Sequence, residues 1–129
     1  MPPVSSWRAS RPRGIQPQAA VDTEGTLHLI YFGDEPAAGN VYYVRKPRGS
    51  EGFSKPVRVN SQSGSAIAVG SIRGAQLALG KDNRVHVAWN GSRKAEPKVD
   101  AKYGSPMLYT RLVDDGMAFE PQRMVNQEA

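Results

Sequence analysis

Carboxylates, an arginine and a tyrosine stand in three loop-like stretches of this chain. Asp34 and Glu35 lie in GDEPAAG (33–39). Arg73 ends SQSGSAIAVGSIR (61–73). Glu96, Asp100 and Tyr103 lie in SRKAEPKVDAKYGS (92–105). Carboxylates can move protons in a transition state. A guanidinium fork matches a carboxylate bidentately, which a lysine ammonium cannot do. The same charges also serve to solvate exposed loops, so residue type alone does not make a site. The chain has two histidines, His28 and His86, and no cysteine, which offers no metal-binding spacing. It has neither a phosphate-cradling glycine motif nor a Gly-x-Ser-x-Gly elbow. No cofactor is expected.

The bulk numbers narrow the class. At 129 residues the chain suffices for one small domain. Its 39% hydrophobic content, with ten Pro and thirteen Gly, suits a globular fold rich in turns rather than a disordered chain. The net charge is +5, from 17 basic and 12 acidic residues. Bases gather at 8–13 and 45–48 without the dense, aromatic-laced basic face of a nucleic-acid binder, so no nucleic acid is expected. No apolar run approaches the roughly 20 residues of a membrane helix, and no membrane partner is expected. The opening MPPVSSWRASRPRG has no apolar stretch behind it and does not read as a secretory signal.

What must position the loops is a repeat. Residues 17–33 overlie 75–91, with Gln18 on Gln76, Leu27 on Val85, His28 on His86, Leu29 on Val87, Tyr31 on Trp89 and Gly33 on Gly91. Further along, Tyr43 falls on Tyr109, Arg45 on Arg111, Phe53 on Phe119 and Val59 on Val125. The extra residues of the second copy fall within 92–105, which implies a loop there. Each copy reads as four short strands, at 18–21, 26–32, 41–45 and 56–59, then 76–79, 84–90, 107–112 and 122–125. The turn after each first strand needs a residue of positive φ, supplied by Gly25 or Asn83. The second strand alternates with period 2 and is apolar on both faces, so it is packed from above and below. His28 and His86 recur mid-strand and read as satisfied interior histidines. Tyr43 and Tyr109 hold one framework position twice and read as packing. Four antiparallel strands recurring about every 60 residues predict an all-β chain of two propeller blades rather than a sandwich. The blades are expected at 15–67 and 68–129, with 1–14 as a tail or the remnant of a preceding blade.

The turn between third and fourth strands carries a family resemblance. KPRGSEGF (46–53) and LVDDGMAF (112–119) resemble the Asp-box turns, Ser-x-Asp-x-Gly-x-x-Trp/Phe, of sialidase-like (BNR-repeat) β-propellers. The second copy keeps Asp114, Gly116 and Phe119, with Leu112 in place of the serine. The first keeps Phe53, with Arg48 and Ser50 where the acid and glycine would stand. A short acid accepts hydrogen bonds from its own turn, the glycine permits a tight bend, and the aromatic packs between sheets. Asp114, Gly116, Phe119 and Phe53 are therefore structural candidates.

The resemblance implies a six-bladed ring with an exo-sialidase-type glycoside hydrolase as parent. In such enzymes an arginine cluster binds the sugar carboxylate and a Tyr–Glu pair does the covalent chemistry. The Asp-box-like turns occupy one end of the sheets, so Arg73, Asp34, Glu35, Glu96, Asp100 and Tyr103 fall on the opposite, ligand-facing end. The alternative is a noncatalytic glycan-binding or protein-interaction propeller. A carbohydrate partner is expected in either glycan reading. Two blades leave a ring open, so the expectation is a fragment needing further blades, with self-association of three copies as the other route. The resemblance implies an exported parent.

Overall fold

The structure is a computed structural model that describes residues 15–35, 37–67, 75–92, 95, 107–113 and 118–125. The chain forms two four-stranded antiparallel sheets, each a simple meander. The first runs β1 (Ile15–Val21), β2 (Leu27–Gly33), β3 (Asn40–Lys46) and β4 (Val57–Arg58). The second runs β5 (Gln76–Leu79), β6 (Val85–Asn90), β7 (Met107–Arg111) and β8 (Arg123–Met124).

The two sheets share register as well as order. Ala20 pairs with His28, and His28 with Arg45. Ala78 pairs with His86, and His86 with Arg111. Even the first turns match. Asp22 N–H donates to Thr26 O and Gly25 N–H to Asp22 O, while Gly80 N–H donates to Arg84 O and Asn83 N–H to Gly80 O. Gly25 and Asn83 take φ of 88° and 62°, the left-handed conformation that this turn requires. One difference is that 81–83 form a short 3₁₀ turn, and Asp82 enters it at φ 57°.

The core lies between unlike faces of the two sheets. His28, Ile30, Phe32, Val41, Tyr43 and Val59 are buried on one face of the first sheet. Val85, Val87, Trp89, Leu108, Thr110, Leu112 and Met124 are buried on the opposite type of face of the second. The apolar members of both sets form one cluster. Each fully buried large apolar side chain contributes about 1.5–3 kcal/mol relative to exposure. Among the described residues the buried Trp89 indole N–H meets no acceptor, a cost of about 1–3 kcal/mol against the large ring it buries.

Polar contacts lock the sheets in place. Gln18 accepts from Leu77 N–H at 3.0 Å and donates to Gln76 at 3.3 Å. At one end Asn83 and Thr23 exchange two bonds, of 2.8 and 3.3 Å. At the other end Ala66 bridges Gly39 of the first sheet and Gly91 of the second. Gly39 is required by the turn that precedes it, since a Cβ there would meet the carbonyls of Gly33 and Glu35 at 2.5 Å. Below that bridge, Asn60 is wholly buried. It accepts from Val41 N–H and donates to Asn40, Gln62 O and Ser65.

Candidate functional site

Where the first turns of the two sheets approach each other, a cleft of about 740 Å³ opens. The first sheet contributes Asp22, Glu24, Thr26, His28, Arg45 and Pro47 to its lining. The second contributes Asp82, Asn83, Arg84, Val85, Leu112 and Val113. The meander places these residues together because the turn after the first strand and the turn after the third share one end of a sheet. The Thr23–Asn83 bonds tie its two walls.

One wall ends in a buried hydrogen-bonded chain. His28 Nε2 lies 2.8 Å from Asp22 Oδ2, and His28 Nδ1 lies 2.7 Å from Tyr43 Oη. The carboxylate has no proton to give, so Nε2 carries the hydrogen and donates it. In the neutral form the ring then accepts at Nδ1 from the Tyr43 O–H. Burial pushes the Tyr43 phenol up, which keeps that proton on the oxygen. Asp22 Oδ1 accepts from the backbone N–H groups of Glu24 and Thr26. The hydrogen bond from His28, aided by those backbone donors, holds the Asp22 carboxyl below its usual range. Asp22 thus accepts three hydrogen bonds, two at Oδ1 and one at Oδ2, which suits an acid that fixes its turn and the His28 ring.

The second sheet repeats half of this arrangement. His86 Nδ1 lies 2.6 Å from Tyr109 Oη, and the rings stack as His28 and Tyr43 do. Gly80 stands where the first copy has Asp22. Burial, then the charges of Arg111 and Arg84, push the His86 imidazolium toward deprotonation. On the rim of this sheet Glu120 binds Arg111 at 2.7 Å and Arg123 at 3.1 Å.

Of the residues singled out in the sequence, Asp34, Glu35, Phe53 and Phe119 lie among the described residues. Asp34 and Glu35 lie at the end of β2 remote from the cleft. Asp34, at φ 69°, accepts from Asn40 Nδ2 at 2.8 Å and Tyr42 Oη at 2.6 Å. Glu35 is exposed, and its carbonyl accepts from Ala38 N–H. Arg73, Glu96, Asp100, Tyr103, Asp114 and Gly116 lie outside the described residues. Phe119 packs edge-on to Tyr43 of the first sheet, with centroids 5.5 Å apart and planes at 83°. Phe53 is half-buried in its own turn. The cleft residues were not singled out from the sequence as a site. Their available signal was the pairing of DTEG with GKDN, two polar turns brought to the same end by the repeat.

No protein-family model, curated protein or solved structure matches the chain.

Proposed function

We propose that the protein is a noncatalytic glycan-binding module built as two blades of a sialidase-like β-propeller, and that the cleft between its sheets takes the glycan. The observation that carries this reading is the cleft's lining. Carboxylates of Glu24 and Asp82, the Asn83 amide, the Thr26 hydroxyl and the guanidinium groups of Arg45 and Arg84 come from both sheets. Such a mixture of donors and acceptors suits a polyhydroxylated ligand, whose hydroxyls do both. The cleft's volume falls in the range of small-molecule sites.

The Asp-box-like spacing favours a second reading, in which the chain is part of an exo-sialidase-type hydrolase that works only when further blades supply the arginine cluster and the Tyr–Glu pair. In both readings the isolated chain does not release sialic acid from a fluorogenic substrate. Saturation-transfer NMR against a panel of neutral and acidic oligosaccharides separates the two. A ligand whose signal is lost in Glu24→Ala and Asp82→Ala variants of unchanged circular dichroism supports the cleft. A ligand insensitive to both changes, or none in the panel, removes it.

A further inference from the structure

The two hairpins that join third and fourth strands share a fold and differ in charge. Residues 45–55 hold Arg45, Lys46, Arg48 and Lys55 against Glu51, a net +3. The matching residues 111–121 hold Arg111 against Asp114, Asp115 and Glu120, a net −2. Both hairpins close alike: Ser54 N–H donates to Arg45 O, and Glu120 N–H to Arg111 O. Since a hairpin of either sign forms, the fold does not demand the cations of the first.

The sharpest difference falls at one position. In the second hairpin the Glu120 carboxylate binds Arg111 at 2.7 Å and Arg123 at 3.1 Å. In the first, Ser54 stands in place of Glu120, and Val57 in place of Arg123. The Ser54 hydroxyl accepts from the Arg45 backbone N–H at 3.0 Å and brings no negative charge. None of Arg45, Lys46, Arg48 and Lys55 makes an ion pair with a described residue. Arg45 and Pro47 line the cleft. Arg48 lies over the first turn of the cleft wall, so that a Cβ at Gly25 would come 3.0 Å from its Cδ. Its stem rests on that turn while the residue as a whole stays exposed, the usual posture of a long charged side chain. Two guanidinium groups without an internal acid therefore stand at one rim of the cleft.

We propose that the ligand of the cleft is an acidic polysaccharide with carboxylates on successive sugars, and that Arg45 and Arg48 bind two of them as Arg111 binds Glu120. A guanidinium fork matches a carboxylate bidentately. Two forks call for two carboxylates, hence a polymer that repeats the charge rather than a single acidic sugar at a chain end. Glu24 and Asp82 accept from the hydroxyls, and their repulsion of carboxylates fixes which edge of the polymer faces the hairpin. The kind of polymer rests on the glycan reading above; its charge rests on the hairpin alone.

The test is calorimetric titration of the full chain with a galacturonate and a mannuronate oligomer, each beside its methyl ester, which removes the charge. At least one acid form is expected to bind, and its ester about tenfold more weakly. Arg45→Gln and Arg48→Gln each weaken the acid form about fivefold and the ester less. Ser54→Glu, which puts an acid where Glu120 stands in the other hairpin, acts in the same direction. Arg111→Gln removes the same net charge but touches a cation already paired with Glu120, so it leaves binding unchanged. Circular dichroism verifies that each variant folds. Acid and ester binding alike overturns the proposal. So does no binding by any of the four, and a neutral ligand found in the cleft by NMR then keeps the glycan reading without it. An Arg111→Gln loss equal to that of Arg45→Gln, or equally tight binding of a DNA oligonucleotide, shows attraction by net charge alone and overturns it too.

Discussion

Gly80 lies against His86 so closely that a Cβ at residue 80 would come within 2.5 Å of the ring's Nε2. Its backbone is extended, with φ −104° and ψ −154°, so any residue could adopt it. The need for glycine here is therefore one of space. In the Gly80→Ala variant the imidazole must swing away from Tyr109. We expect a net loss of about 1 kcal/mol, the overpacking cost being partly offset by the stiffer unfolded chain. Urea unfolding measures it. In a His86→Ala background the penalty should vanish, and an unchanged penalty there would show that the ring is not what the methyl meets.

Asp22 does for the first sheet what the absence of a side chain does for the second: it fixes where the histidine ring sits. Replacing it by asparagine keeps an oxygen for the Glu24 and Thr26 N–H groups but turns the group facing His28 into a donor. The ring must then carry its proton on Nδ1 and donate to Tyr43. Long-range ¹H–¹⁵N correlation spectra should show the Nε2–H form of His28 in wild type and the Nδ1–H form in Asp22→Asn. The same variant tests the pH dependence. The folded carboxyl titrates below its ordinary value of about 3.8, so its contribution is complete above that value and is lost as the pH falls through the folded pKa. Stability lost between pH 5 and the acid limit should therefore be smaller in Asp22→Asn than in wild type.

Strand positions were readable from the chain because the period-2 alternation of residues such as Leu27 to Phe32 is local, and because the repeat supplies each strand twice. Register was not readable: the repeat implies only that what faces His28 has its counterpart facing His86, and the pairs with Arg45 and Arg111 come from the structure. The cleft was not readable, since it depends on the distance between two turns 60 residues apart, and no local pattern encodes that approach. The fate of Asp34 was hidden for a related reason. An acid after a strand looks like a free loop charge until the tertiary partners Asn40 and Tyr42 are known. The unequal burial of Val59 and Val125 was equally hidden, because identical residues at equivalent positions differ only in what the other sheet covers.

His86 gives a second, separate acid response. Its folded pKa is depressed below about 6.5, so the unfolded chain takes up the proton first as pH falls. The stability is complete above that value and declines below it until the folded ring also titrates. Unfolding midpoints measured from pH 7.5 to 5 should fall in wild type and fall less in His86→Gln. A profile flat in both proteins over that range would mean that burial and the neighbouring Arg111 and Arg84 do not govern the ring.

Phe119 closes the turn of its own sheet, through its bridge to Leu112, and also touches Tyr43 of the other sheet. Truncation to alanine removes both the packing and the edge-on ring contact. Because the side chain is only partly buried, we expect a loss of about 2–3 kcal/mol, toward the low end for removal of a core phenylalanine. Phe53 occupies the same place in the first copy but is not packed against the shared core. Its truncation should cost under about 1 kcal/mol, within the range of substitutions away from a core. Equilibrium unfolding of both variants compares them directly. Equal losses would mean that the two aromatic turns do the same work, and that the contact of Phe119 with the other sheet has no energetic consequence.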